Sequence, residues 1–269
     1  MFTGKVVIIT GGSSGIGKAL AKAFAVNEAH VIITGREIHK LHQTVNEIKQ
    51  LGFEATLFQG DVSKLSDCEA MAQLAIDKFG GIDILVNNAG ISMRAIFEDL
   101  DLDVIKQLMD INFYGTVYAT KVCLPHLLKV KGSVVGISSI AGYRGLPGRT
   151  GYSASKFAMN GFLESLRTET MSQGLHVMMV APGFTASNIR RTALVADGSA
   201  QGETPKAEEK LMPAEAVADL VLKSIAKRKR DVFCSMQGRM TKMLNCLWPS
   251  FMDRMVYQTM KRETNSPIK

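Results

Sequence analysis

The strongest constraint on this chain is an alternation of two hydrophobic periods. Short runs rich in β-branched residues recur along it: Lys5–Thr10 (KVVIIT), His30–Thr34, Ala55–Phe58, Ile82–Val86, Ser133–Ser138, Val177–Val180 and Asp231–Ser235. Between them lie segments with apolar residues spaced by three and four, at about 15–29, 37–51, 64–79, 102–129, 150–173 and 213–227. Continuous β-branched runs suit strands buried on both faces, and the intervening spacing suits helices that cover those faces. Strands alternating with helices of this length mean βαβ units and a parallel sheet. The expected fold class is therefore α/β: a doubly wound, seven-stranded parallel Rossmann sheet with helices on both faces and a C-terminal amphipathic helical extension. In such sheets ligands bind at the carboxyl ends of the strands.

No linker rich in Pro, Gly or Ser divides the 269 residues. We expect one catalytic domain over 1–235, with a lid loop at 184–212, and a helical extension over 236–269. The formal net charge of +7 favours anionic partners without choosing among them. The densest basic run, Lys227–Arg230, reads as a solvated helix end rather than a nucleic-acid surface, which would need a wider basic face. Cys68, Cys123, Cys234 and Cys246 form no C-x-x-C pair and have no histidine at ligand spacing, so neither a metal site nor a disulfide framework is expected. That points to a reducing compartment. With no secretory pattern at the start and no apolar run of spanning length, a cytoplasmic location is expected.

Thr10-Gly11-Gly12-Ser13-Ser14-Gly15-Ile16-Gly17 follows the first strand and opens the first helix. Glycines there allow close backbone approach, and a helix N-terminus offers free N–H groups and a positive dipole end to a pyrophosphate. The spacing G-x-x-x-G-x-G departs from the common G-x-G-x-x-G. After the second strand, where an NAD site commonly carries a carboxylate for the ribose 2′-hydroxyl, this chain has Thr34-Gly35-Arg36. Arg36 suits a 2′-phosphate. NADP(H) is the expected cofactor, with NAD(H) as the second choice.

Taken with Asp61-Val62, Asn87-Asn88-Ala89-Gly90, Asn112, Ser139, Tyr152-x-x-x-Lys156 and Pro182-Gly183, the glycine turn resembles the short-chain dehydrogenase/reductase family across about residues 3–235. The resemblance implies a catalytic set of Asn112, Ser139, Tyr152 and Lys156. Tyr152 would exchange a proton with the substrate oxygen. A free phenol is a poor base at neutral pH, and a nearby cation favours its ionised form. Lys156 lies at i+4 from Tyr152, on the same helix face; by resemblance it would also reach the nicotinamide ribose. Ser138 and Ser139 face opposite ways in an extended strand, and the family spacing selects Ser139 to bind the substrate oxygen. Asn112, inside one long helix, would hold a water that relays protons from Lys156. The implied cofactor contacts are Gly11, Ser13, Ser14, Gly15, Ile16 and Gly17 at the pyrophosphate, Arg36 at the 2′-phosphate, Asp61 and Val62 at the adenine, Asn88, Ala89 and Gly90 at the ribose, Tyr152 and Lys156, and Pro182, Gly183 and Thr185 near the carboxamide, with Ser187 following.

Periodicity is lost from Phe184 to Met212, where the family places a mobile substrate loop. Arg190 and Arg191 there suit either an acidic substrate group or, as the preferred reading, a solvated pair. Beyond the seventh strand Met240, Met243, Leu244, Leu247, Trp248, Phe251, Met252, Met255 and Val256 recur at three and four, interrupted at Pro249 and accompanied by Arg239, Lys242, Arg254 and Lys261. Three readings stay open: the stripe covers the protein's own core or a dimer partner, it caps a greasy pocket, or it makes a peripheral membrane contact through 236–262. The tail bears a weaker similarity to ketosphinganine-reductase-like and hydroxysteroid-dehydrogenase-like members. The expected partners are a hydrophobic small-molecule substrate and, by resemblance, a homodimer or homotetramer, with no nucleic acid. The rival readings are a lipid-surface protein or a nucleotide-sensing protein of the same fold with little catalysis.

Overall fold

The computed structural model describes residues 1–202, 211–263 and 265–268. Its strands are β1 (Val6–Thr10), β2 (His30–Gly35), β3 (Ala55–Gln59), β4 (Ile84–Asn87), β5 (Ser133–Ile137), β6 (His176–Ala181) and β7 (Asp231–Phe233). They form one sheet in the order β3-β2-β1-β4-β5-β6-β7, and every pairing is parallel. The expected doubly wound sheet is thus present. Strand order reverses between β1 and β4, which opens a crevice at the carboxyl ends of these two neighbours.

The alternation of the strand side chains divides the core in two. Val7, Ile9, Val31 and Ile33 point to one face and are covered by Leu20 and Phe24 of α1 (Gly15–Val26), Leu41 and Ile48 of α2 (Ile38–Gln50) and Val217 and Val221 of α7 (Ala214–Ala226). Ile8, Ile32, Leu85 and Val134 point the other way, onto Met71 of α3 (Leu65–Phe79), Cys123 and Leu127 of α5 (Gly115–Lys129) and Met159 and Leu163 of α6 (Thr150–Glu169). With period-two alternation, one strand feeds both cores.

The helix read over 102–129 is not continuous. α4 (Leu102–Leu108) passes into a π-helical segment, Met109–Tyr114, before α5 begins. Apolar spacing hardly registers one extra residue per turn, but the wider turn matters locally: such segments recur at functional sites, and Asn112 sits in this one. In the extension, α8 (Met236–Leu247) and α9 (Pro249–Lys261) are separated by Trp248. Pro249 occupies the first turn of α9, where its missing N–H costs nothing. Among the described residues, no helix is long and apolar enough to cross a membrane.

Candidate active site

The glycine turn is held by its neighbour strand. Thr10 Oγ1 accepts from the Asn88 and Ala89 backbone N–H groups, and the Asn88 side-chain amide donates to the Thr10 and Gly11 carbonyls at 2.9 and 3.0 Å. Asn88 therefore braces the turn with its amide group, and Asn88, Ala89 and Gly90 all line the cavity described below. Two glycines are dictated by this packing. Gly11 has φ of +64° and lies against the Ala89 backbone, and a Cβ on Gly17 would collide with the Gly11 carbonyl and the Asn88 amide. The cradle and the free N-terminus of α1 fit a dinucleotide pyrophosphate.

A cavity of about 1070 Å³ runs from this turn across the carboxyl ends of the strands. At one end it meets Ser13, Ser14, Gly15, Ile16, Arg36, Asp61 and Val62. Arg36 is exposed and Lys40, one helical turn on, lines the same end, where Glu37 pairs with Lys40 at 2.7 Å. Asp61 Oδ1 accepts from the Ser63 N–H and hydroxyl at 3.0 and 2.8 Å, which fixes the carboxylate. Pro182, Gly183, Thr185 and Ser187 follow β6 along the cavity.

Further in, the cavity meets Ser139, Tyr152 and Lys156. β5 ends at Ile137, so Ser139 lies just beyond it; its Oγ accepts from the Ala141 N–H at 3.1 Å, and its hydroxyl stands beside the Tyr152 phenol and favours the ionised form. The rival Ser138 is buried under Gly142 and makes no such contact. Burial raises the Tyr152 phenol above its ordinary range, and the nearby Ser139 hydroxyl and the Arg149 charge pull it part of the way back. The Lys156 Nζ donates to the Ile137 carbonyl at the end of β5, at 2.9 Å. Burial lowers the Lys156 ammonium to about 8.

Asn112 also differs in detail. Its Oδ1 accepts from the Ile91 N–H at 2.8 Å, and its two amide hydrogens go to the Ile91 carbonyl and to Ser155 Oγ at 3.0 and 2.9 Å. The side chain pins the segment after β4 to α6. A Cβ on Gly90 would come within 3.0 Å of Asn112 Oδ1 and 3.5 Å of Lys156 Nζ, so only glycine lets both groups face the same spot.

The outer wall is built by residues whose role sequence reasoning left open or missed. Met252, Val256 and Met260 of α9 are buried, and they line the cavity with Thr259 and, from α8, Thr241. The pocket-capping reading of the tail describes this face; Met240, Met243, Leu247, Trp248 and Phe251 remain exposed. Gly238 lets α8 approach Ile140, where a Cβ would collide with the isoleucine side chain. The loop after β6 is held on the opposite side: the Leu194 carbonyl accepts from the Arg94 N–H at 2.8 Å, and the Ala196 carbonyl from the Asp101 N–H at 2.9 Å. Residues 203–210 of the expected lid lie outside the described residues. Arg190 is not solvated but buried, with Nη1 on the Thr185 carbonyl at 2.8 Å, whereas Arg191 is exposed. Buried Arg149, three residues before Tyr152, joins the wall unannounced by any local pattern.

The profile of the family described as short chain dehydrogenase matches residues 5–196. The chain belongs to the short-chain dehydrogenase/reductase family. It is an NAD(P)-dependent oxidoreductase acting on CH–OH groups. Among reductase relatives, the zebrafish (Danio rerio) protein named dehydrogenase/reductase SDR family member 7B is 33% identical, covering 97% of this chain and 87% of the relative. A peanut (Arachis hypogaea) protein named 11-beta-hydroxysteroid dehydrogenase A is 35% identical, over 95% of this chain and 76% of the relative. The reductase fold recurs in a Burkholderia phymatum short-chain dehydrogenase/reductase in complex with NAD, with TM-score 0.83 and 23% identity over 93% of this chain and 95% of that one. It recurs too in a Thermococcus sibiricus alcohol dehydrogenase complexed with 5-hydroxy-NADP, with TM-score 0.75 and 23% identity over 85% of this chain and 95% of that one. Among the described residues no cluster suits a metal ion.

Proposed function

We propose that this reductase transfers hydride between NADP(H) and the carbonyl or secondary alcohol of an apolar substrate, with Tyr152 as the proton-exchanging group. The observation that carries the reading is that the buried Tyr152 phenol and Ser139 share one cavity with the glycine turn at one end and Met252, Val256 and Met260 on its outer wall. The nicotinamide, when bound, supplies or accepts the hydride. Ser139 and Tyr152 bind the carbonyl oxygen and stabilise the charge that develops on it. A phenol raised by burial stays protonated at neutral pH and suits the proton donor of a reduction. Lys156 Nζ and Asn112 Oδ1 flank the spot over Gly90, where a water would return the proton from solvent. Arg36 just after β2 and Lys40 in the first turn of α2, with no carboxylate at 34–36, support a 2′-phosphate. The hydroxysteroid in one relative's name agrees with an apolar substrate.

The test is NADPH oxidation with a panel of apolar ketones. Tyr152→Phe is expected to lose turnover and keep cofactor binding; retained turnover overturns the assignment. Tighter binding of NADH than NADPH by the wild type overturns the cofactor choice, and Arg36→Ala is expected to weaken NADPH selectively.

A further inference from the structure

The outer half of the cavity is apolar along α9 and the loop carrying Leu146, yet it holds a buried cation close to Tyr152. Arg149 is 6% exposed and sits immediately before α6, on the wall that also carries Tyr152. A guanidinium offers five N–H donors in a rigid fork. Here Nη1 reaches the Met93 carbonyl only at 3.5 Å, Nη2 stands 3.7 Å from Glu263 Oε2, and Nε has no hydrogen-bond partner. The same Glu263 oxygen is 3.9 Å from Arg94 Nη2. Both distances to Glu263 are long for charge-assisted bonds, which close to about 2.7–2.9 Å. Burying a charged donor set this incompletely matched is costly unless an acceptor completes it. Among the described residues, Arg190 and Arg262 also line the cavity, and Glu263 is the carboxylate paired with Arg149.

We infer that Arg149 is a recognition site for an anionic oxygen group, carboxylate or phosphate, on an otherwise apolar substrate. The inference rests on the apolar-substrate reading above and narrows it: the substrate is an amphipathic anion. Its chain lies along Met252, Val256 and Met260, and its acidic end takes the open face of the Arg149 fork. Glu263 neutralises Arg149 from a distance while the place is empty, and it repels the incoming anion. This repulsion gives the tail carboxylate a measurable role. The planar fork matches carboxylate and phosphate alike, and a lysine at 149 would supply charge without the geometry.

The test is titration calorimetry on the full chain saturated with NADPH, using decanoate, decyl phosphate and decanol below their aggregation limits. The anionic ligands are expected to bind about tenfold or more tightly than decanol, the scale of one charge-assisted hydrogen bond. The tighter of the two anions identifies the acidic group. In Arg149→Met that preference is expected to fall to about threefold or less, with Arg149→Lys in between, and in Glu263→Gln it is expected to rise. Equal binding of anionic and neutral ligands by the wild type overturns the inference, as does an unchanged preference in Arg149→Met. Should Arg149→Met fail to fold, Glu263→Gln decides: a preference that does not rise overturns it. Failure of every ketone to be reduced would sink the proposed function while leaving these binding ratios readable, and the reverse pattern would sink only the anion site.

Discussion

Replacing Lys156 by methionine should make the cofactor-free protein more stable while it loses function. The ammonium is fully buried, and burial lowers its pKa from 10.5 to about 8. A base whose folded pKa lies below its unfolded value destabilises the fold wherever it is charged. Below pH 8 the cost is complete; between 8 and 10.5 the folded side chain is neutral while the unfolded one still binds a proton, so stability rises with pH. The shift of 2.5 units, 10.5 less 8, at about 1.36 kcal/mol each, corresponds to about 3 kcal/mol at pH 7. Methionine removes that cost and also the bond to the Ile137 carbonyl, worth about 1 kcal/mol. The net gain is about 2 kcal/mol, or roughly 4–8 °C in melting temperature. At pH 9.5 only about 1 kcal/mol of the lysine cost remains, so the two proteins should melt within about 2 °C of each other. The assay is paired thermal and urea unfolding of the apo proteins at both pH values. Comparing the pair cancels the titration of other groups, such as the raised Tyr152 phenol. A stability difference that is the same at pH 7 and 9.5, or a variant less stable at pH 7, would refute the reasoning.

Other substitutions probe the geometry more locally. Gly17→Ala should drive its new methyl into the Gly11 carbonyl and Asn88, cutting cofactor affinity about tenfold or more in a binding titration. Asn88→Ala, which frees two carbonyls of the glycine turn, should weaken the cofactor and lower stability by about 1–3 kcal/mol in urea unfolding. Gly238→Ala should displace α8 from Ile140, raising the KM of apolar ketones while leaving the NADPH Kd within about twofold, since the contact is remote from the glycine turn.

The strands and the first helices were legible because their side-chain periods are local properties. The glycine turn and the Tyr152-x-x-x-Lys156 pair were legible as ordered motifs. What escaped depends on contacts between segments far apart in the chain. Helical spacing placed Lys156 on the face of Tyr152 but could not show that Nζ bonds the end of β5. The long helix hid its π-helical segment because the apolar rhythm survives one extra residue, and the bonds from Asn112 to Ile91 and Ser155 that hold it are not sequence patterns. The tail's period was readable, and its break at Pro249 fell at the start of α9. Which methionines face inward was not, because that follows from where α9 lands on the domain. Arg149 carried no local sign at all; only the closure of three segments around it removes it from water.

The wall formed by α9 also sets an order in time. The ribosome releases the glycine turn, Arg36 and Asp61 early, the Tyr152 helix midway, and Met252, Val256 and Met260 near the end. Once β6 has emerged and paired, a nascent chain holds every strand that frames the cofactor crevice, yet its reaction chamber still stands open on one side. A transcript cut short before Met252 would yield a protein that still presents the glycine turn and the phenol but leaves hydride chemistry unshielded from water.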